Sequence, residues 1–301
     1  MSFNDNVQID TSSTSGGGGG RGPGGGVAVG GVGGVILLII ALLFGGGDIF
    51  GGSGSPGGQA APQQQQQGSS EQFAKCKTGA DANKYVECRV IATQNSVEAY
   101  WKKELPRYGQ NYTKAQLVLY QGSTQSACGL ASNAVGPFYC PTDQTVYIDA
   151  SFFDELTNRF GADSGALAQE YVVAHEYGHH VQDLLGLLQN AQQDPQGAES
   201  GAVRTELMAD CFAGLWAHSA ANTKDANGTT YLKPLTQRDV QSALSAAAAV
   251  GDDRIQQKAQ GRVTPESWTH GSSAERQKWF LTGYQSGDVN QCDTFNAASL
   301  G

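Results

Sequence analysis

From Ser164 onward apolar residues recur every three to four positions, and this period predicts four long helices: Ser164 to Leu188, Ala202 to Ala217, Thr236 to Val250 and Ala274 to Tyr284. Thr236 with Asp239 three residues later reads as an N-terminal cap, and Gly251 as a stop. Upstream the pattern changes. Ser96 to Leu105 still reads as a helix, ended by Pro106, while Gln116 to Tyr120 and Thr145 to Asp149 carry the β-branched and aromatic content of strands. Phe138-Tyr139-Cys140, the turn Pro141 to Gln144 and the run from Thr145 form a hairpin signal. A small sheet followed by helices predicts an α+β fold.

The pattern breaks down over the first 70 positions, which hold 22 of the 41 glycines in the 301-residue chain and too few aliphatic and aromatic types for a core. Residues 1–26 read as a disordered Gly-rich N-terminus. Residues 45–70, with Pro56, Pro62 and the run Gln63 to Gln67, read as a flexible linker. Between them Val27 to Phe44 has no charged or polar side chain and reaches the lower length limit for a bilayer span. A cleaved signal peptide would begin with a basic region, and only Arg21 precedes this run. A retained single transmembrane helix is therefore expected, leaving residues 71–301 as one folded domain.

Net charge changes the picture little. At -9, with no Lys/Arg cluster longer than the Lys102-Lys103 pair, the chain lacks the basic face that nucleic acid requires. Cysteine usage says more, because all six lie beyond the apolar run and the first four fall into two local pairs. The expected disulfides are Cys76 with Cys88, Cys128 with Cys140, and Cys211 with Cys292. Disulfides persist outside the reducing cytosol, so the domain is expected on the extracytoplasmic side of a cell membrane.

The residues that carry chemistry begin at His175-Glu176-Tyr177-Gly178-His179, inside a predicted helix. Positions i and i+4 share one helix face, so both imidazoles can reach a single Zn2+ while Glu176 addresses a water there. A catalytic zinc needs a third ligand and a partner that fixes the tautomer of its histidines. The next helix offers Glu206 and, again at i+4, Asp210: Glu206 as third ligand, Asp210 as hydrogen-bond acceptor for His175. Two carboxylates among Val203, Leu207, Met208 and Phe212 are costly to bury unless a cation compensates them. For the residue that steadies the oxyanion, His270 is the first candidate, because it precedes a Gly-Ser-Ser turn and a new helix; Tyr177 faces elsewhere on its helix. His180 and His218 read as structural. Trp268, Arg276, Trp279, Phe280 and Tyr284 have helical spacing and read as core.

The pairing of H-E-x-x-H with a downstream E-x-x-A-D resembles the gluzincin arrangement, and the surrounding text is closer to the putative neutral zinc metallopeptidase family of bacteria. The segments that carry the resemblance are Ala127-Cys128-Gly129 through Gly136 to Pro141, His175 to His180, Glu206 to Cys211, Gly251 to Ile255, and His270 to Ser273. It covers about residues 71 to 296, and it implies a zincin-like α+β fold, a bound zinc and peptide-bond hydrolysis. The expected function is that of a membrane-anchored zinc peptidase of peptides or small proteins, with Glu176 as general base. A non-catalytic zinc-stabilised binding or chaperone-like module, and a zinc amidase acting on cell-wall peptides, are the rival readings.

Overall fold

The computed structural model describes residues 2–17 and 72–301. The apolar run 27–44 and the Gly/Ser/Gln stretch 45–70 lie outside the described residues, and among those described no helix is long and apolar enough to cross a membrane. The chain opens with a strand, β1 (Thr14–Gly17), followed by helices α1 (Gly79–Lys84) and α2 (Val86–Glu104). Five strands come next: β2 (Gln116–Tyr120), β3 (Ser123–Ser126), β4 (Gly129–Ser132), β5 (Phe138–Cys140) and β6 (Thr145–Asp149). Helices complete the fold: α3 (Phe152–Asn158), α4 (Ala166–Leu184), α5 (Gln189–Gln193), α6 (Gly201–Ser219), α7 (Gln237–Ala249), α8 (Asp252–Gln260) and α9 (Ser273–Ser286). The architecture is mixed α+β, with small sheets and many helices.

One sheet has the order β1-β2-β6-β5, parallel across its first three strands and closed by the antiparallel β5–β6 hairpin. Strands β3 and β4 form a separate antiparallel pair. Every residue of β6 is buried, as a strand with neighbours on both sides and helices beneath should be.

The expected disorder of residues 1–26 is corrected for residues 2–17. Phe3 and Val7 are fully buried, and β1 adds to the free edge of β2. The order comes from main-chain pairing and amide side chains of the domain, which leave no apolar period in Thr14-Ser15-Gly16-Gly17 to read. The same docking hides the start of α2, which begins at Val86 and not at Ser96: its buried stretch Thr93-Gln94-Asn95-Ser96 is polar because Gln94 and Asn95 hold Ser13, Thr14 and Asp10.

The helical half is built on two close approaches. Helix α6 crosses α9 where Gly214 and Gly283 sit: a Cβ on Gly214 would collide with the Phe280 carbonyl, and one on Gly283 with that of Cys211. Helix α6 crosses α4 where Gly178 meets Ala209, whose Cα lies 3.1 Å from the place a Cβ on Gly178 would take. Caps fix the helix starts. Thr236 and Asp239 form the expected capping box on α7, and Ser272 and Glu275 another on α9. Gly251 does not stop α7; it is the N-cap of α8. All six cysteines pair as their spacing indicated, Cys76–Cys88, Cys128–Cys140 and Cys211–Cys292.

Candidate metal centre

Helices α4 and α6 each present two functional side chains one turn apart, and the Gly178–Ala209 contact lies between the pairs. His175, His179 and Glu206 are buried with ligand atoms within 4.8 Å of one another. His175 Nε2 is 3.1 Å from Glu206 Oε2, and His179 Nε2 is 3.4 Å from Glu206 Oε1. Tetrahedral zinc, at about 2.0 to 2.1 Å from each donor, would set neighbouring donor atoms roughly 3.4 Å apart. The residues fit the ion in a second way, since His179 Nε2 is buried with no hydrogen-bond partner.

Each imidazole is oriented through its other nitrogen. His175 Nδ1 donates to Asp210 Oδ1 at 2.8 Å. His179 Nδ1 donates to Gln182 Oε1 at 2.8 Å, and the Gln182 amide is fixed by donating to the Thr205 carbonyl. Both ε nitrogens therefore turn toward Glu206, the tautomer a metal requires. Asp210 also accepts from Tyr171 Oη at 2.5 Å and from Arg276 Nε and Nη2 at 2.8 and 3.0 Å. Arg276 thus belongs to the site as well as to the core set in which its spacing placed it; Trp268, Trp279 and Phe280 of that set are buried.

The electrostatics favour a cation. Burial opposes charge on Glu206, yet His179, His270 and the hydrogen bond with His175 hold its carboxyl well below the ordinary carboxylate range. Burial likewise opposes a charged His175, but Asp210 and Glu206 raise its imidazole to about 10. Glu176 stands apart from the ligand group. Burial raises its pKa, the two histidines only partly offset this, and its Oε2 has no partner.

His270 lines the same cavity of about 70 Å³ as His175, Glu176 and Glu206. Its loop is gripped by Asp252, whose Oδ2 accepts from the backbone amides of Thr269, His270 and Gly271 at 2.8, 2.7 and 3.1 Å. His180 and His218 lie elsewhere: His180 Nε2 donates to the Thr113 carbonyl, and His218 Nδ1 to that of Tyr284. Tyr177 is fully buried and does not line the cavity.

The sequence pattern of the family described as Putative neutral zinc metallopeptidase matches residues 2–295. The chain belongs to this family. An uncharacterized protein of Mycobacterium tuberculosis is 58% identical over 229 residues, covering 76% of this chain and 77% of its own, and one of Mycobacterium bovis is equally similar. The uncharacterized protein YpfJ of Escherichia coli is 44% identical over 220 residues, covering 71% and 72%. No solved structure matches the chain. Membership of a zinc metallopeptidase family implies Zn2+, and His175, His179 and Glu206 are the group of described residues that offers it three donors.

Motif spacing thus finds five residues that the fold brings together, His175, Glu176, His179, Glu206 and Asp210, and it overlooks the roles of Gln182, Tyr171 and Arg276 around them and of Asp252 at the His270 loop. Gln182 carries a signal, three positions after His179, and Tyr171 lies four before His175. Arg276 and Asp252 come from distant segments; Arg276 reads by its spacing as core, and Asp252 lies in a segment of the family resemblance that does not reveal its role.

Proposed function

We propose that this metallopeptidase family member hydrolyses peptide bonds, with His175, His179 and Glu206 holding zinc and Glu176 as general base. The observation that carries the reading is the Glu176 carboxylate: it is buried against the ligand group, outside it, with one oxygen unpartnered and facing no other protein donor. A purely structural zinc would be closed by a fourth protein ligand and would have no use for that group. When bound, zinc supplies a Lewis acid that polarises a carbonyl and makes water a usable nucleophile near neutral pH.

The side chains do the rest. Glu176 accepts the proton of the attacking water, its elevated proton affinity suiting it to hold that proton and pass it to the departing amine. His270, kept over the cavity by Asp252, donates to the carbonyl oxygen as negative charge develops there. Asp210, Arg276 and Gln182 hold the histidines in place throughout. The cavity wall includes Val135, Phe152, Val172 and Ile255, a lining suited to an apolar substrate side chain next to the scissile bond. Val135 and Pro137 lead directly into β5, a sheet edge along which an extended peptide can add as a further strand.

The three disulfides support an extracytoplasmic setting. The apolar run Val27–Phe44 would keep the domain at a membrane, where its substrates would be peptides or small proteins. Glu176→Gln is the test. The variant is expected to keep one zinc per chain, by metal analysis, and to lose about 10²- to 10⁴-fold in turnover of a quenched-fluorescence peptide library. Unchanged turnover would remove Glu176 from the chemistry.

A further inference from the structure

The domain carries a built receptor for the segment Ser2–Gly17. Asn83 meets the main chain of Phe3 twice, accepting from its N–H at 2.8 Å and donating to its carbonyl at 3.0 Å. Asn95 does the same for Asp10, at 2.7 and 2.9 Å. An amide side chain that satisfies both polar groups of one residue acts as a short piece of β-ladder. Deeper in, Gln94 joins Ser13 and Thr14 in a fully buried pair of hydrogen bonds. Gly79 lacks the Cβ that would strike the Asn4 carbonyl, and Phe3 and Val7 are fully buried in the core. These groups come from α1, α2 and β2, all beyond the apolar run.

Gly16 also touches Gln72, since a Cβ on Gly16 would fall on the Gln72 side chain. The connection between Gly17 and Gln72 therefore leaves and rejoins the domain at one place. From this docking we infer that Ser2–Gly17 and residues 72–301 occupy the same side of the membrane. The number of bilayer crossings between Gly17 and Gln72 is then even. Val27–Phe44 has the length of one crossing, and a single crossing there would put the two docked parts on opposite faces. This inference is independent of the peptidase reading.

Because all six cysteines are paired, one added cysteine is a clean reporter. The full-length chain, expressed in its host membrane, would carry Asn6→Cys, Val7→Cys or Lys102→Cys, the first and last at exposed positions and the second fully buried. Each is treated with a membrane-impermeant maleimide before and after permeabilisation, and again after unfolding. Asn6→Cys and Lys102→Cys are expected to react under the same condition, and Val7→Cys only after unfolding. Reaction of Asn6→Cys and Lys102→Cys from opposite faces would overturn the shared side. Equal reactivity of Val7→Cys and Asn6→Cys in the native chain would overturn the docking. If Asn6→Cys and Lys102→Cys both react only after permeabilisation, the shared side stands and the extracytoplasmic setting falls.

Discussion

Asp210 shows how much one side chain carries at this centre. It fixes the His175 tautomer, takes a short hydrogen bond from Tyr171 and neutralises Arg276, all in full burial. Asp210→Asn keeps the shape and removes the charge, so zinc affinity should fall about 10- to 100-fold in competition with a chelating dye. A second carboxylate makes a pH prediction. Burial pushes Glu98 up to about 7, with Lys114 opposing. The native state thus binds a proton that the unfolded chain has already released, and between about 4.5 and 7 this group's contribution to stability is lost as pH rises. Glu98→Gln should change little at pH 4 and add on the order of 2 kcal/mol at pH 8, read from thermal melts at the two values. Residue-scale chemistry was the most legible part of the sequence, because i and i+4 spacing is the geometry of a helix face: His175, His179, Glu206 and Asp210 could be placed before any fold was known. The clamp of Asp252 on the His270 loop spans 18 positions and could not.

Among the elements, those that bury apolar faces were legible and those stabilised by polar groups were not. Helices α4, α6, α7 and α9 fall within a few residues of their apolar periods, and β2, β5 and β6 where β-branched and aromatic residues cluster. Strand β1 escaped because its four residues bring no apolar pattern, and the first half of α2 because its buried face includes Gln94 and Asn95. Nor does the spacing of small residues alone reveal which glycines are contacts. Gly283 on α9 is one, with the Cys211 carbonyl where its Cβ would be and Leu215 N at 2.9 Å. Gly283→Ala must therefore part α6 from α9, and chemical denaturation should show a loss of about 1 to 3 kcal/mol.

For the molecule as a whole, the cross-links divide by span. Cys211–Cys292 closes a separation of 81 residues, while Cys76–Cys88 and Cys128–Cys140 each close 12. By the chain-entropy argument the long link contributes about 4 to 5 kcal/mol and each short one about 3. The paired change Cys211→Ser with Cys292→Ser should consequently lower the melting temperature more than either short-link double variant, measured under identical oxidising conditions. Cys211 is also the neighbour of Asp210, so this link fastens the helix that carries Glu206 and Asp210 to the C-terminal end of the chain. The contact between Gly178 and Ala209 has a broader consequence. It lies inside both i, i+4 pairs, one residue before His179 on one helix and one before Asp210 on the other, and so the width of the candidate metal site is gauged by backbone touching backbone and not by the side chains themselves. Transplanting His175, His179, Glu206 and Asp210 onto another helix pair would copy the side chains without the gauge. What must be moved to make the site portable is a pair of small residues that never touch the ion.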